Sequence, residues 1–400
     1  MKRRLAGALI AFASAGIPGT SHAQDTIKIG VLGDMSGPAA DLGGPGSVVA
    51  AQMAAETLGG TVAGRKIVIV SADHQLKPDI GSEIARRWFD TEKVDAITDL
   101  PVSSVALAVQ EVARQRGKVL LISGATTPAL TDKACSPWTI HWAENIYTLA
   151  NGMTRAVVKS GGNTWYIITL DFTFGHVLEK LASDVLKSEG AKLLGTVKAP
   201  LNASDWSSFV LQAQASKAKI VAIAAGGADF VNALKAAREF GLAAGGQKLA
   251  GFLVLISDVH SLGLATAQGL TITESFYWDQ NDESRAFAKR FYAKRNVMPT
   301  RSHAATYASV VHYLNGVKGA ASTDATKVIA WMKQHAADYF GKPATVRRDG
   351  RVLFPVGLWE VKGPGESKYA WDYYKQVREI PATEAFAPQN PELCAFLKSK

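Results

Sequence analysis

Covalent chemistry has few candidates in this chain. Of its 400 residues two are cysteines, Cys135 and Cys394, and neither stands in a C-x-x-C or beside a metal-ligand neighbour. Redox-active dithiol and zinc roles are therefore excluded, and no metal or cofactor is expected. The eight histidines are scattered, with no G-x-S-x-G, H-E-x-x-H or cysteine-nucleophile context around them. His141 and His176 lie near the loops singled out below, but neither has a nucleophile to activate, so an enzyme is not expected. No lysine lies between Gly33 and Arg65, which removes a P-loop from the glycine-rich stretch "VLGDMSGPAADLGGPGSVVAA". A dinucleotide fingerprint fails there too. Gly44-Pro45-Gly46 supplies its first half, but Val49 stands where the third glycine should be. Basic residues exceed acidic ones by nine, yet their densest patches are pairs, Arg86-Arg87 and Arg347-Arg348. That is no nucleic-acid footprint. Beyond the N-terminus no apolar run approaches the length of a membrane span.

What is present begins with an export signal. Met1-Lys2-Arg3-Arg4 is charged, residues 5–17 are apolar, and Ser21-His22-Ala23 is a small-x-small cleavage site. Residues 1–23 therefore read as a secretory signal peptide. No cysteine follows the cleavage point, so a lipid anchor is not expected, and a soluble periplasmic chain should begin at Gln24. In that oxidising compartment Cys135 and Cys394 are expected to form a disulfide, the alternative being two separate thiols.

Strand-like and helix-like stretches then alternate. Strands read at 26–32, 66–72, 96–100, 118–123, 165–170, 191–198, 219–224 and 249–255. Amphipathic stretches lie between them at 47–58, 79–90, 103–116, 177–189, 205–215 and 229–240. Strands apolar on consecutive positions, such as "IVAIAA", suit a parallel sheet covered on both faces. The rhythm starts twice, at Thr26 and at Trp165, which predicts two α/β domains. Ligands of such sheets sit beyond the carboxyl ends of the strands. Four loops qualify: 33–46, 100–104, 123–128 and 171–175. Ser103 and Ser104 open a helix, where hydroxyl caps and free N–H groups favour an anion. Thr126 and Thr127 stand among small residues at the next strand end, completing a carboxylate cradle without lysine or arginine. Phe172 and Phe174, with Trp142 and Trp278, are candidates for the wall of an apolar ligand.

In this order, "IKIG", an "MSGP-x-A-x-x-G" loop with a following helix, "ISGATTPALT" and a D-x-x-aromatic-G at 171–175 resemble the periplasmic solute-binding proteins of the branched-chain amino-acid transport family. The resemblance covers nearly the whole mature chain. It implies a type I periplasmic binding protein: α/β, with two doubly wound parallel-sheet lobes joined by three hinge crossings. Lobe one would take 24–142 and 276–350; lobe two would take 143–275 and 351–400 with the C-terminal tail. It further implies ligand contacts from Ser103 or Ser104, from Ala125 and Thr126, and from Phe174 as an aromatic cover. Asp258 is the lobe-two acid that would meet an ammonium. The chain departs from the family at Leu42, where an aromatic is frequent, at apolar "FLVLI" before Asp258, and at Ala228, where a tyrosine is common. A buried cation needs a paired anion. The cradle without a clear acid therefore favours an aromatic or related organic carboxylate over a branched-chain amino acid. The "CSP…HWAENIYTLANG" and "YWDQND" stretches resemble a subgroup associated with aromatic acids. The implied partners are that ligand and the membrane permease of an ABC transporter, and a monomer is expected. A ligand-sensing receptor subunit is the alternative role.

Overall fold

The computed structural model describes residues 26–398, so the expected signal peptide at 1–23 lies outside the described residues. The first sheet is built from β1 (Thr26–Gly33), β2 (Thr61–Val62), β3 (Arg65–Asp73), β4 (Ala96–Asp99), β5 (Val119–Ile122) and β6 (Thr139–His141). Its spatial order is β2-β3-β1-β4-β5-β6. The second takes β7 (Thr164–Leu170), β8 (Lys192–Ala199), β9 (Ile220–Ala224), β10 (Lys248–Gly251) and β11 (Thr271–Glu274). A small antiparallel sheet follows: β12 (Ala337–Asp338), β13 (Pro343–Val346) and β14 (Val352–Leu353). Then β15 (Val356–Val361) and β16 (Tyr374–Ile380) return to the second sheet, ordered β16-β15-β11-β10-β9-β7-β8.

The strands of each sheet's centre are parallel, β1 on β3 from Thr26↔Lys66 to Gly33↔Asp73 and β7 on β9 likewise. Edges depart from the all-parallel expectation. β2 is antiparallel to β3 because Ala63 and Gly64, both at positive φ, close a tight hairpin between them. β15 is antiparallel to β11 because the chain comes back from the other lobe and enters the sheet reversed. The chain passes between the sheets three times, at 142–163, 275–281 and 354–355. In between, helix Arg301–Ala320 packs on helix Gly44–Thr57 and covers β4 and β5, so this later segment completes the first lobe.

The strand expected at 249–255 ends at Gly251. Asp258 takes the Leu255 N–H at 2.8 Å and turns the chain into helix Ile256–Leu262, so the apolar "FLVL" leaves the sheet. Trp142, expected on a cleft wall, is fully buried in the core, 6.2 Å from the His312 ring and 6.1 Å from that of Tyr339. Cys135 and Cys394 are bridged, with their Cα atoms 5.6 Å apart. The end of the chain, which the sequence grouped with lobe two, is thereby fastened beside β6 of the first sheet. Among the described residues no helix is long and apolar enough to cross a membrane.

Candidate functional site

Parallel strands deliver their carboxyl ends, and the helices that follow, to the same side of each sheet. In the first lobe the loop after β1 is shaped by two buried carboxylates. Asp34 accepts the N–H groups of Gly37 at 2.9 Å and Ala39 at 2.8 Å. Asp99, at the end of β4, accepts the Gly44 N–H at 2.9 Å, and a Cβ on Gly43 would collide with its carboxylate. From the other side Thr300 donates its hydroxyl to the Leu42 carbonyl at 3.0 Å. His303 donates Nε2–H to the Gly43 carbonyl at 2.9 Å while Nδ1 accepts the Thr300 N–H at 3.1 Å. Burial holds His303 down to about 4, so it stays in this neutral tautomer. The glycine stretch is a pinned rim, and Leu42 sits half-buried on it.

Helix Ser103–Arg116 has the bounds expected from the sequence but not the expected cap. Val102 is its N-cap and makes no side-chain cap, so Ser103 and Ser104 are the first two helical residues rather than capping residues. Their N–H groups belong to the unpaired first turn. Ser103 is half-buried and Ser104 exposed. After β5, buried Ala125 gives its carbonyl to His141 Nε2 at 2.7 Å, and Arg351 donates to His141 Nδ1 at 3.0 Å. Burial, with Arg351 close by, keeps His141 neutral, its pKa well below the usual imidazole range. Thr126 accepts the Ile146 N–H at 2.9 Å on its carbonyl, which ties this loop to the first crossing. Thr127 spends its hydroxyl on Ala129 N–H at 3.3 Å. The hydroxyls of Ser103, Ser104 and Thr126 make no hydrogen bond among the described residues.

On the second lobe, Phe172 is 52% exposed and caps helix Thr173–Ser188, while Phe174 is half-buried against the main core. His176 pairs with Asp171 at 2.7 Å, and both side chains are exposed. Asp258 is half-buried; burial pushes its carboxyl up to about 6, with Arg301 opposing and Asp41 adding to the shift. Arg301 and Asp41 belong to the first lobe, so Asp258 lies where the lobes meet. Trp278 is partly buried, its indole N–H bound to the Trp371 carbonyl at 2.8 Å. That makes it part of an aromatic group with Tyr277 and Tyr369, rather than a free wall.

Sequence reasoning missed a buried ionic group at the base of the interface. Arg301, the first residue of its helix, lies 3.5 Å from Glu144 and 3.2 Å from Glu274, all three side chains at most 4% exposed. Glu144 lies on the first crossing and Glu274 ends β11 just before the second, where Ser275 N–H donates to Glu144 at 3.0 Å. Burial pushes Glu274 up to about 8. The available signal was compositional: single charges inside the buried runs "TITES" and "RSHAATYASVV".

Chemically, the strand ends offer unpaired helix N–H groups and hydroxyls for an anion. Among the described residues no group of three or more His, Cys, Asp or Glu is placed to hold a metal. A solved periplasmic binding protein of Burkholderia mallei shares 46% identity, with 91% of this chain and 96% of that chain covered at a TM-score of 0.82. A branched-chain amino acid ABC transporter periplasmic ligand-binding protein of Burkholderia xenovorans shares 37%, over 93% and 100% of the two chains, at a TM-score of 0.89. At 22% identity, a solute-binding protein from R. palustris in complex with 4-hydroxybenzoate has the same fold, over 89% and 97% of the two chains, with a TM-score of 0.78. Residues 26–367 match the profile of a periplasmic binding protein family. With two parallel-sheet lobes, three crossings and that match, the chain belongs to the periplasmic binding proteins of the branched-chain amino-acid transporter type, the solute-binding components of ABC importers.

Proposed function

We propose that this protein captures a small organic carboxylate, preferably an aromatic acid, between its lobes and presents it as a monomer to an ABC permease. The observation that carries this reading is how the charges are engaged. Ser103, Ser104 and Thr126 leave hydroxyls free near a helix N-terminus, a setting for a carboxylate. The acids that an amino-acid ammonium would need are already engaged. Asp258 holds the Leu255 N–H, and Glu144 and Glu274 flank Arg301. Phe172 and Phe174 stand at the strand-end loop of the other lobe, suited to an aromatic ring.

A branched-chain amino acid is the second reading, favoured by the name of the Burkholderia xenovorans relative. Calorimetry with benzoate and with leucine separates the two. Benzoate or a substituted benzoate should bind at micromolar or tighter affinity, and leucine weakly. Thr126→Ala should weaken the acid by about 1.5–3 kcal/mol, the range for a hydrogen bond to a charged group. Benzamide should lose a comparable amount on the unaltered protein. Tight leucine binding abolished by Asp258→Asn would reverse the ranking.

A further inference from the structure

We propose that the second lobe carries a separate binding site for a small amphipathic acid, at the amino ends of its strands, the opposite end of the sheet from the cleft. A cavity of about 310 Å³ opens there, within the range of small-molecule pockets. The first residues of β9, β10 and β11, Ile220, Lys248 and Thr271, all line it. Val157, Ile220 and Leu358, none more than 6% exposed, give it an apolar lining.

The topology leaves this opening. Ile220 pairs with Lys248, Ala250 two residues on pairs with Thr271, and Thr271 pairs with Glu360, so these side chains share one face. Helices Ser207–Ala215, Gly227–Glu239 and Ile256–Leu262 pack on the other face. On this one, helix Thr173–Ser188 covers β7 and β9, helix Met153–Lys159 ends at the cavity, and Lys248 of β10 is left exposed. A β-bulge adds to the rim. Trp359 pairs with Gln376 and Leu358 with Arg378, so Val377 has no partner across the strand. It lines the cavity while 48% exposed, an edge-strand valine re-aimed by the bulge.

Charge selects the occupant. Lys219 and Lys248 line the cavity, and their ammonium groups have no ion pair or hydrogen bond among the described residues. Glu360, also in the wall, is paired with Lys375 at 2.9 Å. The last carbonyls of helix Met153–Lys159 are taken by the N–H groups of Ser160, Gly161 and Gly162, so the helix end offers few free acceptors to a cation. A cation would meet two ammonium groups, and a wholly polar molecule would leave the apolar lining unused. A carboxylate on an apolar body uses both, and each methylene it buries is worth about fourfold in affinity.

Calorimetry with octanoate, butyrate and octylamine tests this on the unaltered protein, on Val377→Trp and on the double variant Lys219→Gln with Lys248→Gln. Octanoate should bind the unaltered protein with submillimolar affinity, at least tenfold more tightly than either of the others. Val377→Trp fills the cavity from an exposed position, so the melting temperature should stay unchanged while octanoate weakens at least tenfold. The two lysines are exposed as well, and their double variant should weaken octanoate at least threefold. Octanoate that binds within tenfold of butyrate or octylamine overturns the site. So does a loss smaller than these in either variant, which would place the octanoate elsewhere, the cleft included. Absence of octanoate binding overturns the site too, and leaves the reading of the cleft, tested with benzoate, as it stands.

Discussion

Asp99 shows how much a single side chain can organise. It sits at φ 83° with Leu100 at φ 56°, a left-handed pair that ordinary residues adopt at a cost of order 1–3 kcal/mol each. Its carboxylate compensates by holding the Gly44 N–H and fixing the glycine rim against β4. Complete burial outweighs the hydrogen bonds it accepts and pushes it up to about 7, from 3.8 in the unfolded chain. Between those values the folded protein keeps a proton that the unfolded chain has released. Stability must therefore fall as pH rises through this window, by about 1.4 kcal/mol per pH unit from this group alone. His303 works in the opposite sense. Lowered to about 4 from 6.5, it leaves the unfolded chain holding the extra proton, and stability falls as pH drops between those values. Asp99→Asn keeps the shape and tolerates the left-handed backbone but cannot ionise. In urea unfolding, its stability deficit relative to the unaltered protein should shrink by roughly 2–3 kcal/mol between pH 5 and pH 7. A constant deficit would mean that the Asp99 carboxyl does not titrate there.

At the level of elements, much was legible because periodicity and end signals agreed. Helix Ser103–Arg116 runs as expected, closed by Gly117 at φ 58°, and the central strands fall within a residue or two of their apolar runs. The failures have physical causes. "FLVLI" is apolar throughout, which marks burial but not whether the chain continues as strand, and a carboxylate three residues into the next helix decided it. Trp142 reads as a wall from its position beyond a strand, yet it turns inward onto Tyr339 and His312, contacts made across segments distant in sequence. The Glu144–Arg301–Glu274 group joins three such segments, so no local pattern announces it. Close packing between elements likewise depends on distant pairs. Gly30 in β1 lets Trp88 of helix Pro78–Asp90 lie on the strand, and a Cβ there would overlap the indole. Gly30→Ala should destabilise by about 1–3 kcal/mol through overpacking, read from the denaturation midpoint. Pairing it with Trp88→Leu should recover part of that loss; if the two costs simply add, the close approach is not the cause.

Across the whole molecule the chain is closed by one covalent link. Three crossings join the lobes, and the tail adds a fourth connection. It leaves β16 and helix Ala382–Ala385 on the second lobe and reaches Cys394, bridged to Cys135 beside the first sheet. The bridge spans 259 residues, so the second sheet and the later segment of the first lobe lie inside the loop it closes, while β1–β5 precede it. The tail also runs beside the third crossing, where Arg347 donates to the Ala387 carbonyl at 2.6 Å. The neighbouring Arg351 reaches the Ala143 carbonyl on the first crossing. A strap laid along the crossings sits close to the axis about which lobes would turn, so its length changes little as they open or close. Two consequences separate here. Constraining the unfolded chain should stabilise the fold, by about 2–5 kcal/mol for a long loop, whereas hinge motion and binding should hardly notice the bridge. Cys394→Ser should therefore lower urea stability by an amount in that range and leave the affinity for a bound carboxylate within threefold. A variant that instead binds much more weakly, at unchanged stability, would make the strap part of the closing mechanism rather than a restraint on the unfolded chain.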